Sequence, residues 1–167
     1  KALNAGESYI SHIGSARIRE FVDACSLEAT TDFARVSEVD AVLICVPTPL
    51  GMHREPDISY ILKTGREIAL WLRAASGRPK KLVVLESTTF PGTTDEDLRN
   101  VLEEVSGLKA GKDFYLAYSP EREDPGQHDH SVKTIPKVMG GYTPACLKRC
   151  KELYTLALDV VYPVQST

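Results

Sequence analysis

The sequence has no long apolar segment. Its longest unbroken apolar run, Ala41 to Val46, is far shorter than the ~20 residues that a helix needs to span a bilayer. The first residues, Lys1 to Gly6, also lack the basic start and apolar middle of a secretory signal. We therefore expect no membrane partner, and we assign the chain to the cytoplasm.

Clustered positive charge and closely paired cysteines are missing as well. The net charge is -3, and acidic and basic residues are mixed along the chain, so no basic stripe is present to follow a nucleic-acid backbone. We expect reduced, structural thiols, with Cys45 buried in a strand, because no C-x-x-C pair occurs among the four cysteines: Cys25, Cys45, Cys146 and Cys150. The segment His128-Asp129-His130 has no second cluster of ligand residues, so we expect no metal site.

Short β-branched apolar runs alternate with longer stretches of helical period from residue 31 onward. This alternation is typical of a doubly wound α/β fold, a mainly parallel sheet with helices on both faces. At 167 residues, one domain is the expectation. Five strands are predicted: Ala41–Val46, Leu82–Leu85, Phe114–Tyr118, Lys137–Met139 and Val160–Val164, the last an edge strand because of Pro163.

Helices are predicted between these strands, with good N-cap residues at Asp57, Thr94 and Thr143. The first of them should end near Ser76-Gly77. At the start of the chain the pattern predicts a helix within 16–24, a brief strand at 28–30 and a small helix around Phe33.

No G-x-G-x-x-G occurs in the sequence. A doubly wound dinucleotide site binds its pyrophosphate at the first strand-to-helix turn, where such a glycine pattern is found. We therefore interpret residues 1–167 as the later part of an incomplete Rossmann-like NAD-binding domain, whose first β-α-β unit precedes Lys1.

Polar residues follow three successive predicted strands. These segments are Val46-Pro47-Thr48-Pro49, Glu86-Ser87-Thr88 and Ser119-Pro120-Glu121-Arg122. Singly, each is more often a stiff loop, a turn hydroxyl or a solvated charged loop. In open α/β sheets, however, ligands bind beyond the carboxyl ends of the strands, so their coincidence favours a nucleotide site.

These segments also resemble a known family. Together with Leu3-Asn4-Ala5-Gly6, Asp57-Ile58-Ser59-Tyr60, Pro91-Gly92-Thr93-Thr94 and Pro136-Lys137-Val138-Met139-Gly140-Gly141 they resemble, in order and spacing, the UDP-glucose/UDP-N-acetylglucosamine 6-dehydrogenase family. The resemblance spans nearly the whole chain. Two further segments are closer to the N-acetylhexosamine branch than to the glucose branch: Arg54-Glu55-Pro56-Asp57 and Glu123-Asp124-Pro125-Gly126.

The resemblance implies an NAD-dependent enzyme that oxidises the C6 alcohol of a UDP-sugar to a carboxylate in two steps, through a thiohemiacetal and a thioester. It also implies a homo-oligomer for the full-length protein. On this mapping Thr48 and Thr88, with the adjacent Pro47, match positions that contact NAD, and Thr88 also holds the water of the hydrolytic step. Glu121 matches the carboxylate that handles protons around that water. Two more residues match positions that approach the nucleotide-sugar: Arg122 and Glu123.

Part of the family's machinery has no counterpart in this sequence. The nucleophilic cysteine, its helper lysine and its aspartate lie beyond Thr167 in the family pattern, and none of the four cysteines here matches the nucleophile. We therefore expect this chain alone to be inactive. Two alternatives stay open: the glucose-specific 6-dehydrogenase, and a non-catalytic nucleotide-binding or interaction module of the same fold.

Overall fold

The structure, a computed structural model, describes residues 1–10, 13–52, 54–73, 78–121 and 135–167. The chain forms two compact units, Lys1–Phe33 and Ala34–Thr167. Its assignment to one NAD-binding domain stays a prediction.

The first unit contains a short 3-10 helix, Leu3–Ala5, and helix α1, Ser15–Asp23. The brief strand predicted at 28–30 is wrong, because these residues belong to no strand. The side chain of Asn4 explains the difference. It donates to the Ala29 carbonyl at 2.8 Å and accepts from the Ala29 N–H at 2.7 Å, so both backbone groups already have partners.

The second unit is built on a five-stranded sheet in the order β1-β2-β3-β4-β5. Neighbouring strands are parallel except for the antiparallel pair of β3 and β4. The mainly parallel sheet is therefore confirmed, and the Pro163 strand lies at the edge of the sheet as predicted. The strands are β1 Ala41–Ile44, β2 Leu82–Leu85, β3 Tyr115–Tyr118, β4 Lys137–Gly141 and β5 Val161–Pro163.

Helices cover both faces of this sheet. The 3-10 helix Phe33–Glu38 precedes β1, α2 spans Ser59–Ala69, and α3 (Arg99–Ser106) directly follows the π-helix Thr93–Leu98. Helix α4 spans Pro144–Tyr154. No helix within the described ranges is both long and apolar enough to cross a membrane.

Strand β2 lies at the centre of the core, and all four of its residues are buried. Val83 and Leu85 belong to the apolar cluster that includes side chains of α2 and α3. Leu82 and Val84 belong to the other cluster, which includes Cys150 of α4. Successive residues of a strand point to opposite faces, so an unbroken apolar run fits a strand covered on both sides.

Two of the three predicted helix caps are wrong. Asp57 lies before α2 rather than capping it, and its carboxylate accepts from the N–H of Ser59 at 2.9 Å. Thr94 lies inside the π-helix, because the cap is Gly92, two residues earlier, whose φ of 95° makes the turn that starts the helix. The Thr143 cap is confirmed, since its hydroxyl accepts from the Cys146 N–H at 3.2 Å.

Candidate functional site

The carboxyl ends of β1, β2 and β3 lie side by side. Their last residues, Ile44, Leu85 and Tyr118, are aligned in register across the sheet. The hydrogen-bond ladder continues past them, because Glu86 donates to Ile44 at 3.0 Å and Ser119 donates to Leu85 at 3.0 Å, both through backbone N–H groups. The polar segments that follow the three strands therefore start from one edge of the sheet.

A cavity of about 280 Å³ opens at this edge. It brings together four of the residues singled out in the sequence, Pro47, Thr48, Thr88 and Glu121. The other two, Arg122 and Glu123, lie outside the described residues, as does His128-Asp129-His130. The lining consists of Cys45, Val46, Pro47, Thr48, Glu86, Ser87, Thr88 and Glu121.

Ser87 joins two of the loops that form the cavity. Its buried hydroxyl accepts from the Val46 N–H at 2.9 Å and donates to the Val46 carbonyl at 2.8 Å. One side chain thus satisfies both backbone groups of Val46, and the prolines on either side of Thr48 fix the course of the chain beyond it. The residue pattern alone did not distinguish Ser87 from Thr88, whereas the family resemblance singled out Thr88. In the structure Ser87 is a structural link, whereas Thr88 is exposed at the cavity.

Glu86, which also lines the cavity, carries a buried carboxylate. Its side chain is 9% exposed, and it receives hydrogen bonds from the Tyr154 hydroxyl and from the Cys45 thiol at 3.4 Å. The ammonium of Lys137 lies 3.4 Å from the same carboxylate and is equally buried. Three donors therefore compensate the loss of water around a buried charge. Sequence reasoning missed both Lys137 and Tyr154.

Lys137 also contacts a second carboxylate of the cavity lining. Its Nζ lies 3.3 Å from Oε2 of Glu121, whose side chain is 53% exposed. The ring of Tyr154 lies beside the same ammonium, at 5.3 Å from ring centre to Nζ. Lys137 thus stands between a buried carboxylate and an accessible one.

The four cysteines are all free, and Cys146 and Cys150 are buried. The prediction that Cys45 is buried in a strand is wrong: the residue is exposed and follows β1. Partial burial and the charge of Glu86 nevertheless raise the pKa of the Cys45 thiol to about 11. Full burial and the charge of Glu86 raise the pKa of the Cys150 thiol to about 12. Both thiols are protonated at neutral pH, which makes them poor nucleophiles.

We expect Cys45 to react slowly with iodoacetamide despite its exposure. With a pKa of about 11, roughly a thousandth of the thiol is ionised at pH 8, and only the thiolate reacts. The alkylation rate at Cys45, followed by peptide mass spectrometry, should keep rising to about pH 11. Glu86→Gln removes the neighbouring negative charge and should lower the pKa of the Cys45 thiol. Alkylation below pH 11 should therefore be faster in this variant. A rate that levels off near pH 8 would contradict this electrostatic description.

Comparison with known proteins identifies the fold and the family. Residues 1–158 match the model of the UDP-glucose/GDP-mannose dehydrogenase family, NAD binding domain. A solved NDP-N-acetyl-D-galactosaminuronic acid dehydrogenase from Methanosarcina mazei is 38% identical with a TM-score of 0.84, covering 99% of this chain and 35% of that one. A GDP-mannose dehydrogenase from Pseudomonas aeruginosa, solved as a ternary complex, is 29% identical with a TM-score of 0.86, covering 99% and 38%.

Curated relatives agree with these structures. Protein CapL of Staphylococcus aureus is 38% identical over 78% of this chain and 30% of its own length. UDP-N-acetyl-D-glucosamine 6-dehydrogenase of Pseudomonas aeruginosa is 36% identical over 81% of this chain and 31% of its own length. The chain thus spans about a third of the length of the curated relatives that it matches. It belongs to the UDP-glucose/GDP-mannose dehydrogenase family, and its match is to the NAD-binding domain of that family.

Proposed function

We propose that this chain supplies part of the NAD site, and the carboxylate that handles protons, of a UDP-N-acetyl-hexosamine 6-dehydrogenase. Such an enzyme oxidises the C6 alcohol of the sugar to a uronic acid in two steps. One observation carries the proposal: a single cavity beyond three parallel strands is lined by the hydroxyls of Thr48 and Thr88 and the carboxylate of Glu121. Ligands of open α/β sheets bind at this edge.

The chemistry of the lining suits the nicotinamide end of the cofactor, which carries an amide on a ring. Among the described residues, the lining contains no lysine or arginine. The lining offers hydroxyl groups, together with backbone at Val46 that the Ser87 side chain holds in place. Such groups suit the amide and the ring of the nicotinamide. When bound, NAD supplies the hydride acceptor, and Thr48, Thr88 and Pro47 would hold it in position.

Glu121 and Thr88 are proposed to manage the water of the second step. Both residues are exposed at the cavity, so a water molecule can reach them. The Thr88 hydroxyl can hydrogen-bond that water, and an ionised Glu121 can accept its proton as the water attacks. We propose that the adjacent positions Arg122 and Glu123 approach the nucleotide-sugar.

The names of similar proteins support the N-acetylhexosamine branch. Besides UDP-N-acetyl-D-glucosamine 6-dehydrogenase, they include UDP-N-acetyl-D-mannosamine dehydrogenase from Pyrococcus horikoshii, which is 31% identical over 92% of this chain and 35% of its own length. Arg54-Glu55-Pro56-Asp57 points to the same branch. We also propose a cytoplasmic location, which four free cysteines support because thiols stay reduced there. A homo-oligomeric full-length protein is part of the same proposal.

The proposal is tested by incubating the full-length protein with NAD+ and a panel of UDP-sugars while recording NADH. We expect UDP-N-acetylhexosamines to be preferred over UDP-glucose, with about two NADH formed per sugar because an alcohol becomes an acid. Preference for UDP-glucose would assign the protein to the glucose branch. Binding of NAD+ without NADH formation from any of these sugars would favour a non-catalytic module.

A further inference from the structure

Lys137 is held in place from the inside of the protein. Its side chain is 9% exposed, and its ammonium lies 3.4 Å from the equally buried carboxylate of Glu86. Glu86 is itself fixed by hydrogen bonds from Tyr154 and Cys45. A buried ammonium is costly unless it is paired, and this pairing with Glu86 already balances its charge.

The second contact of Lys137 therefore needs a separate explanation. At 3.3 Å, its ammonium is as close to Oε2 of Glu121 as it is to Glu86, yet Glu121 lies at the accessible cavity. We infer that Lys137 is a positioning residue for Glu121: anchored on Glu86, it holds the Glu121 carboxylate at the cavity in its ionised form. This inference rests on the proposed function, in which Glu121 accepts a proton.

The charged groups around Lys137 and Glu121 determine how Lys137 affects the ionisation of Glu121. Among the described residues, the Tyr154 hydroxyl and the Cys45 thiol also contact Glu86, and burial, together with the charge of Glu86, raises the pKa of each. Cys150 of α4, also influenced by Glu86 and Lys137, is protonated at neutral pH for the same reason. Among the described residues, Lys137 brings a positive charge to 3.3 Å from Glu121, and an adjacent cation favours an ionised carboxylate.

The two contacts of Lys137 also allow Glu121 to take up a proton and release it again. When Glu121 takes up a proton it loses its attraction to Lys137, but Lys137 stays balanced by Glu86. The ammonium therefore remains in place and draws the carboxylate back once the proton leaves. A lysine paired with Glu121 alone would instead be left buried and unpaired at that stage.

The test measures the pH dependence of turnover in the full-length protein. The acidic limb is the pH range in which turnover falls as Glu121 becomes protonated. In Lys137→Met this limb should move up by about one pH unit, because the ionised carboxylate loses its neighbouring cation, and turnover near the limb should fall about tenfold. NAD+ affinity, measured separately by calorimetry, should stay within about twofold. Lys137→Arg keeps the charge and should keep the limb of the unsubstituted protein.

Lys81 provides a matched control. It is also a buried lysine, but its ammonium donates to the carbonyls of Ser37 and Val39, at 3.0 and 2.5 Å, and it precedes β2 at the opposite end of that strand from the cavity. Lys81→Met should lower stability and leave the acidic limb unchanged. If Lys137→Met fails to fold because Glu86 is unpaired, adding Glu86→Gln removes the stranded charge. This double variant should fold and still show a raised limb.

Each outcome distinguishes the two proposals. Normal turnover in Glu121→Gln would refute the role of Glu121 and with it the basis of the inference. If Glu121→Gln is impaired but Lys137→Met keeps the parental limb, the proposed function stands and the inference is overturned. Equal loss at every pH, or weaker NAD+ binding, would mark Lys137 as merely structural. If Lys137→Met does not fold, either alone or together with Glu86→Gln, the result for Lys137→Arg decides. An acidic limb raised by about one pH unit in Lys137→Arg, which retains the charge, would overturn the inference.

Discussion

Replacing Glu121 with glutamine is expected to lower the turnover of the full-length protein by about 10²- to 10⁴-fold. The amide has nearly the same shape and can still form hydrogen bonds, but it cannot accept the proton of the attacking water. Release of the acid should therefore slow more than the binding of either ligand. Steady-state kinetics measures the deficit, and rapid-quench mass spectrometry should detect a thioester adduct accumulating on the enzyme.

Glu104→Gln provides the control for this variant. Glu104 is exposed on α3 and does not line the cavity, so its turnover should stay within about twofold of the unsubstituted protein. If Glu121→Gln also stays within about twofold, or if its whole loss is in NAD+ affinity, Glu121 does not handle the water. The cavity would then keep only its role in cofactor binding.

The strands were predictable where burial alone determined them. The run Leu82–Leu85 was predicted with its exact bounds because a strand covered on both faces needs apolar residues throughout. Helix α2 shows the limit of such patterns. The predicted end near Ser76-Gly77 lies outside the described residues, and α2 ends at Ala69. Leu72, beyond that end, is nevertheless 1% exposed. Apolar spacing reports which side chains are buried, whereas the helix end depends on backbone hydrogen bonds.

The candidate site was predictable in part for a similar reason. The carboxyl ends of parallel strands meet at one edge, so the sequence could bring Thr48, Thr88 and Glu121 together without knowledge of any side-chain contact. The partners of Glu86 could not be found in this way. Tyr154 is 68 positions away in the sequence and lies at the end of α4, so its contact depends on how that helix packs. Local patterns carry no information about such long-range polar pairs.

That packing of α4 leads to the second large effect, which we expect from Gly141→Ala. A Cβ atom at Gly141 would lie 2.2 Å from the backbone nitrogen and 2.6 Å from the Cα of Leu147 in α4. Backbone atoms cannot relieve a close contact by rotating as a side chain can, so α4 must move away from β4. We expect this movement to lower the free energy of unfolding by about 3 kcal/mol, the upper end for overpacking.

The movement of α4 should also reach the candidate site. The last residue of α4, Tyr154, donates to Glu86, so a displaced helix should weaken the anchor of Lys137 and reduce turnover as well as stability. Urea unfolding followed by circular dichroism measures the loss of stability. Gly14→Ala is the matched control, because a Cβ there meets nothing within 4 Å, and its effect should stay within about 1 kcal/mol. Equal unfolding midpoints for the two variants would show that α4 tolerates a side chain at Gly141, and the close contact between β4 and α4 would then not be what fixes Tyr154 against Glu86.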